Sequence, residues 1–382
     1  MKIQLKNTPE QIELVKAMAS RDKTVAYEAQ AAVAKFIQPV LNKVIQQAPV
    51  LSNLFSELPF LPDDNPSIPM DLYYDVTDKD IVEIWSQKVA GGLASSEVVP
   101  TVSELKISTY TLDTAVSFDR KYAAKHRMDV IGKTFTRAAQ EILNFQNKIS
   151  ASIIMASLAN ATTNGKKHVQ FSNAQNQFVL ADLNELLTLS KRIWTSWYGG
   201  TPEGGISRRG VTDLLVSPEI VEQVRAMTYN PINTNTGPAG GSGGDGIAAP
   251  DALRMSVFNT AGLPEFYGIS LMEFNELGVG QRFNTVFDTA AASTAYTLAG
   301  GGAATGVGHS AATFSATDEI LVGIDRSVDS LIKAIATDEG GSSLEWAVDD
   351  QFTIRGGKIG WFGGLEEGRL CLDNRALVGK IV

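Results

Sequence analysis

Gly240, Ser242 and Gly244 fit the spacing G-x-S-x-G. In α/β hydrolases that spacing lifts a serine nucleophile onto a strained strand-to-helix turn. The flanks here are NTGPA and DGIAAP, which read as neither a buried strand nor a helix. The run GGGAATGVGHS (300–310) has the glycine density of a phosphate-binding loop but lacks the Gly-Lys-Ser/Thr ending. Asp325 and Arg326 follow EILVGI, at a strand end where α/β enzymes place catalytic groups; a turn or a structural ion pair is the expected reading. Asp63 and Asp64 offer two carboxylates, too few alone for a hard cation. His126, His168, His309 and the single Cys371 are scattered along the chain. They allow no internal disulfide and no closed Cys/His zinc site. Trp194, Trp197 and Tyr198 beside Lys191 and Arg192 could stack on bases, but on a helix such a group more often caps a core. No acid/base constellation is visible, and the expectation is a protein that is not an enzyme, with no cofactor and no metal.

The elements around these residues say more. The chain has 382 residues, 44% hydrophobic and 20% charged, enough for a real core in two or three domains or one elaborated domain. A net charge of −9 argues against a protein that wraps nucleic acid tightly, though not against a wall beside which nucleic acid lies. No run of 18 apolar residues is present and the N-terminus lacks a signal-peptide core, so a cytoplasmic origin without a membrane span is expected.

Residues 8 to 47 read as helical, with Thr8 and Pro9 as a capped start, Gln11 completing a capping box, and Pro39 and Pro49 bounding or kinking the second segment. The four prolines of PFLPDDNPSIP (59–69) predict a rigid linker. LYYDVTDKDIVEIWSQKVA and ELKISTYTLDTAVSFDR read as two strands joined by the flexible AGGLASSEVVP. Neither face of the second strand is cleanly core, which suits a strand pair lying on another protein; an ordinary sheet edge is the alternative. Residues 127–160 make the strongest helix, with Ile131, Phe135, Ala138, Ile142, Phe145, Ile149 and Ile153 at helical spacing. Such a helix would span on the order of 50 Å. A second helix covers 181–197. TDLLVSPEIVEQVRAM (212–227) predicts a buried strand, then Ser217 as N-cap and Pro218 at the first helical position. Residues 228–250 are low in complexity and expected as a surface loop, and 289–317 form another Ala/Gly/Thr-rich stretch. The ending QFTIRGGKIGWFGGLEEGRLCLDNRALVGKIV reads as three strands turning at the glycines and at Asp373-Asn374.

Three stretches carry a resemblance: the Glu83–Arg120 region running into FDRKYAAKHRMDVIGKTFTRAAQEILNFQNKI, then LLVSPEIVEQVRAM, then GKIGWFGGLEEGRLCLDNRALVGKIV. In this order they are similar to the major capsid proteins of tailed bacteriophages, with the Hong Kong 97-type fold, from about residue 25 to the end. The resemblance implies an α+β fold. Its parts are an N-terminal arm (1–69), an extended β-hairpin E-loop (70–119), a peripheral domain with a spine helix (120–227), an axial domain (228–350) and a C-terminal β segment returning to the peripheral domain (351–382). It implies a self-assembling subunit of hexamers and pentamers in an icosahedral shell around double-stranded DNA. That DNA would be touched only by weak non-specific contacts. It implies inter-subunit contacts through Trp85, Lys88, Gly91, Gly92, Leu93, Val98, Val99, Leu105, Ile107 and Tyr110. Some relatives crosslink lysine to asparagine, and Lys88 lies in the arm. Implied partners are further copies, a separate scaffolding protein, a portal, and decoration or cement proteins; the implied location is the virion, assembled in the host cytoplasm. The rivals are an encapsulin-like compartment shell with the same fold and, from another class, an α/β hydrolase-type enzyme.

Overall fold

Thr8 caps the first helix as predicted: its hydroxyl accepts from the Gln11 amide and Pro9 occupies the first helical position. Only half of the capping box forms, because the Gln11 side-chain oxygen is buried without a partner. The computed structural model describes residues 8–47, 51–62, 64–69, 104–125, 127–163, 165–173, 176–193, 210–229, 265–266, 268–298, 312–315, 317–327, 329–338, 342–349 and 357–382. In chain order the elements are α1 (Pro9–Met18), α2 (Lys23–Gln47), β1 (Ser56–Phe60), β2 (Ser67–Pro69), β3 (Glu104–Lys106), β4 (Thr109–Asp119), α3 (Arg120–Ala124) and α4 (Met128–Ala159). There follow β5 (Thr162–Thr163), β6 (Lys166–Lys167), β7 (Val169–Phe171), α5 (Leu180–Ile193), β8 (Asp213–Val216), α6 (Pro218–Tyr229), β9 (Glu265–Phe266) and β10 (Ile269–Glu273). The last are α7 (Arg282–Ala291), β11 (Thr297–Leu298), β12 (Ile320–Ile324), β13 (Leu331–Ala336), β14 (Glu345–Val348), β15 (Lys358–Cys371) and β16 (Leu377–Ile381). The fold is α+β. Its described residues fall into two units, one built from those up to 69, from 104 to 150 and from 331 to 370, the other from 151 to 330 and from 371 onward.

The first unit holds a five-stranded sheet with the path β1-β13-β15-β14, in which β4 also pairs with β15. Its core joins Val33, Ile37 and Leu41 of α2 and Ile131, Phe135 and Ile142 of α4 to Trp346, Ile359 and Trp361 of the sheet. The Phe135 ring lies 5.2 Å from Trp361 and 6.0 Å from Trp346. One expectation needs correction here and another is narrowed. The proline-rich 59–69 is not all linker: β1 pairs parallel with β13 from Ser56 to Phe60, and Pro59 is tolerated because β1 is an edge strand. Of the two alternatives expected at Pro39, a boundary is ruled out, since it lies inside α2, which continues past it to Gln47.

The second unit holds a seven-stranded mixed sheet in the order β11-β7-β16-β12-β8-β10-β9. Leu183, Leu186 and Leu189 of α5 and Ile220, Val221 and Val224 of α6 pack on Leu214, Val216, Leu321 and Val378. Ser217 caps α6 as predicted, its hydroxyl accepting from the Ile220 amide. This sheet overturns the domain boundary at 227, because its strands come from both sides of that point. It also takes the C-terminus: β16 pairs with β12 and β7 of the second unit, while most of β15 belongs to the first. The predicted turn at Asp373-Asn374 is real, with Asp373 accepting from the Arg375 amide. The glycines of KIGWFGGLEEGRL make no turns; they lie inside the single strand β15.

His168 is buried beside this C-terminal turn. Its Nδ1 lies 3.0 Å from the carbonyls of both Asn374 and Leu377, and its Nε2 lies 2.9 Å from the Thr163 hydroxyl. Two acceptors at Nδ1 fix the neutral tautomer with the proton there, so Nε2 accepts from Thr163. Burial holds the pKa below its ordinary 6.5 against the upward pull of those carbonyls. Protonation is therefore easier in the unfolded chain, so the contribution is present above about pH 6.5 and lost as pH falls through 6.5 toward the folded value. Denaturation midpoints measured through that window should fall more steeply for the wild type than for His168→Asn, by up to about 1.4 kcal/mol per pH unit. Cys371 is similarly withdrawn: burial pushes its thiol up to about 11.

Candidate assembly site

β2 and β3 flank residues 70–103, which lie outside the described residues. These strands form their own two-stranded antiparallel ladder, with Ser67 opposite Lys106, Ile68 opposite Leu105 and Pro69 opposite Glu104. One more backbone bond, from the Ile107 amide to the Pro66 carbonyl, extends it. All of 70–103 is thus inserted between two residues that face each other across a stem. Leu105 is exposed, while Ile68 and Ile107 are buried. Gly368 of β15 gives Ile107 its seat: a Cβ there would come within 2.9 Å of the Ile107 side chain and 2.8 Å of the Ser108 carbonyl oxygen.

From Thr109 the strand no longer belongs to an arm. β4 pairs with β15 through eleven residues, from Thr109 opposite Gly368 to Asp119 opposite Lys358. Leu112 and Val116 pack on the unit's core and Phe118 is buried in it. The boundary expected at 119 is therefore too long. The mixed polarity of this strand arises because one face meets its own core and the other is exposed.

Beneath the stem lies a buried polar network that joins five segments. Glu367 and Arg369 of β15 form an ion pair at 3.0 Å with both side chains fully buried. The Tyr110 hydroxyl donates to Glu367 at 2.7 Å and the Gln146 amide at 2.9 Å. Arg369 donates to the Ser150 and Ser52 hydroxyls and to the Gln146 carbonyl, and its guanidinium lies 5.7 Å from the Phe55 ring centre. Lys333 extends the network to Ser52 and Glu57. Burial, then the adjacent Glu367 carboxylate, raises the Tyr110 phenol far above its ordinary range, so it stays a donor at any physiological pH.

Of the residues implicated from the sequence, Leu105, Ile107 and Tyr110 gather at the stem and the network below it. Trp85, Lys88, Gly91, Gly92, Leu93, Val98 and Val99 lie outside the described residues. So do the G-x-S-x-G at 240–244, the 300–310 run, Trp194, Trp197, Tyr198, His126 and His309. Asp325 is a turn residue, accepting from the Ser327 amide, and Arg326 lies 3.9 Å from Asp213. Sequence reasoning missed Gln146 and Ser150. It followed the apolar stripe of α4 to Phe145, which is 47% exposed, whereas the buried face steps by four through Ile142, Gln146, Ser150, Ile154 and Leu158. That spacing was the available signal. Among the described residues, no group of three or more His, Cys, Asp or Glu side chains is placed to hold a metal, and no helix is long and apolar enough to cross a membrane.

No family model matches the sequence and no curated protein matches it. Among solved structures the chain is similar to the capsid of the empty GTA particle, at 12% identity and a TM-score of 0.48 over 87% of this chain and 88% of that one. It is similar to the capsid of cyanophage P-SCSP1u at 12% identity and a TM-score of 0.46, covering 88% of each chain. It is also similar to the SrpI encapsulin of Synechococcus elongatus PCC 7942, at 10% identity and a TM-score of 0.41 over 86% of this chain and 85% of that one. Likeness at these values decides nothing between a phage shell and an encapsulin, and the functional reading rests on the chain's own geometry.

Proposed function

We propose that this chain is a major capsid protein, a shell subunit that assembles with its copies as hexamers and pentamers into an icosahedral container for double-stranded DNA. The observation that supports it is the stem: Pro69 and Glu104 are cross-strand partners, and the 34 residues between them leave and return through one anchored ladder. An isolated hairpin is marginal in water, so an insertion carried on a two-stranded stem is expected to need burial against another surface. A sister copy supplies the missing surface. Many such contacts acting together hold a shell that no single contact would hold.

The register of the stem also specifies the test. Replacing 70–103 by Asn-Gly closes β2 and β3 with a two-residue turn and removes no described residue. The wild type should form megadalton particles by light scattering and negative-stain microscopy, holding nuclease-protected double-stranded DNA when made in infected cells. The shortened chain should melt at the same temperature and stay as small oligomers. Particles from the shortened chain, or a compact low-order oligomer from the wild type, would overturn the reading. Particles filled with cargo enzymes instead of DNA would move it to the encapsulin class.

A further inference from the structure

The second unit carries a cleft of about 550 Å³ between the β5–β6 hairpin and α5. Lys166 and Lys167 line one side and Arg192, in the last turn of α5, lines the other, with Thr188 and Gln170 between. The carboxylate in the cleft, Glu185, is already engaged: the buried Lys380 ammonium donates to it at 2.8 Å and also lies 3.4 Å from Asp182. Among the described residues, Lys166, Lys167 and Arg192 form no ion pair with any carboxylate. Lys166 and Arg192 are exposed. Three cations with no carboxylate partner among the described residues, gathered around one concavity, stand out in a chain of net charge −9. Such a cleft selects an anionic occupant and draws it in by charge.

The inserted residues supply one. From Asp71 to Gln87 the chain carries Asp71, Asp75, Asp78, Asp80 and Glu83 against a single Lys79. From Val89 to Ser103 it carries only Glu97. Lys88 lies between these stretches, and five of the six acidic residues of 70–103 fall within 71–83. We propose that the basic cleft formed by Lys166, Lys167 and Arg192 receives the acidic limb 71–83 of a second copy. This rests on the reading of 70–103 as an inter-subunit arm and adds where the arm lands and what recognises it. The lysines and Arg192 meet the carboxylates, and Thr188 and Gln170 offer hydrogen bonds to an extended backbone. Because the cleft is open to solvent, the pairing is screened by salt, over a Debye length of about 8 Å at physiological ionic strength and about 3 Å at 1 M.

Two full-length variants test it, one with the cleft reversed (Lys166→Glu, Lys167→Glu, Arg192→Glu) and one with the limb reversed (Asp75→Lys, Asp78→Lys, Asp80→Lys). Lys166 and Arg192 are exposed, Lys167 is half-buried, the three aspartates lie in the insertion, and none belongs to the buried network, so both variants should melt close to the wild type. Each alone should raise the concentration needed for particle formation by on the order of tenfold or more, because like charges then face one another. An equimolar mixture of the two should restore mixed hexamers, in which the variants can alternate and each finds its complement only on the other chain, whereas a pentamer keeps at least one mismatched contact. Unchanged assembly by the cleft variant, with the arm deletion still abolishing particles, would overturn this docking site and leave the shell reading standing. Rescue by combining all six changes in one chain, with no mixed hexamers from the two single-sided variants, would place the contact within a single copy and overturn the inference. Normal shells that only lose packaged DNA would assign the cleft to nucleic acid and overturn it equally. Normal assembly by the arm deletion itself would remove the shell reading first.

Discussion

Arg369→Ala should destabilise the first unit by about 3–5 kcal/mol, the largest stability loss expected from any single change at the site. Its partner Glu367 and its own side chain are both fully buried, so deleting one leaves the other charge without water or counter-ion. Glu367→Ala should cost as much: the guanidinium would keep the Ser52, Ser150 and Gln146 oxygens and the Phe55 ring, all without formal charge. The informative comparison is the double replacement Glu367→Leu with Arg369→Met. With no charge left, most of the single-variant loss should return. It should stop about 1–2 kcal/mol short, because Tyr110 and the Gln146 amide lose their acceptor. Ser150 has a fallback in its bond to the Gln146 carbonyl at 2.7 Å, so it adds little to the deficit. Urea midpoints and slopes for the four proteins give the answer. A double variant as unstable as either single one would show that lost packing, not an uncompensated charge, is what each deletion costs.

This network explains why the sequence was legible in some places and not in others. Thr8-Pro9 and Ser217-Pro218 act within one helical turn, and both caps form where their spacing placed them. The helix of 127–160 was equally readable because Ile131, Phe135 and Ile142 repeat at helical spacing and all three are buried. The stripe failed beyond Ile142 because hydropathy equates polar with exposed. Gln146 and Ser150 are buried only because Glu367 and Arg369, more than 200 residues away, meet their hydrogen-bonding groups. The domain boundary failed for a related reason. The seven-stranded sheet is assembled from segments scattered between Val169 and Ile381, and no local pattern says which short apolar runs will pair. At the stem, the β-rich character of Leu105 to Val116 was visible, but not the point at which the strand leaves the arm. That point is set by Thr109 meeting Gly368 across β15.

The glycines of β15 were read as turns from their conformational freedom, and Gly363 shows the other reason for a glycine. It sits in mid-strand, directly opposite Trp346 of β14 and Thr114 of β4. A Cβ built on it would lie 2.1 Å and 2.4 Å from Trp346 ring carbons and 2.9 Å from the Glu345 carbonyl oxygen. Gly363→Ala should therefore destabilise by about 1–3 kcal/mol, as overpacking does, even though alanine in an open strand position would restrict the unfolded chain and stabilise. The indole cannot turn aside cheaply, since it is buried against Phe135 and its N–H has no partner whose loss could be traded. Gly364 is the built-in control: there the nearest atom to an added Cβ is the Asp113 carboxylate oxygen at 3.1 Å, the end of a side chain that can move. Gly364→Ala should stay within about 0.5 kcal/mol of the wild type. Trp346→Leu will be costly alone, but combining it with Gly363→Ala should cost less than the sum by about 1 kcal/mol or more. Strict additivity would mean that the tryptophan does not occupy the space glycine leaves. The coupling would identify Gly363 as the seat of an indole that closes the core between β14, β15 and the long helix whose next turns hold Gln146 and Ser150 beneath the arm.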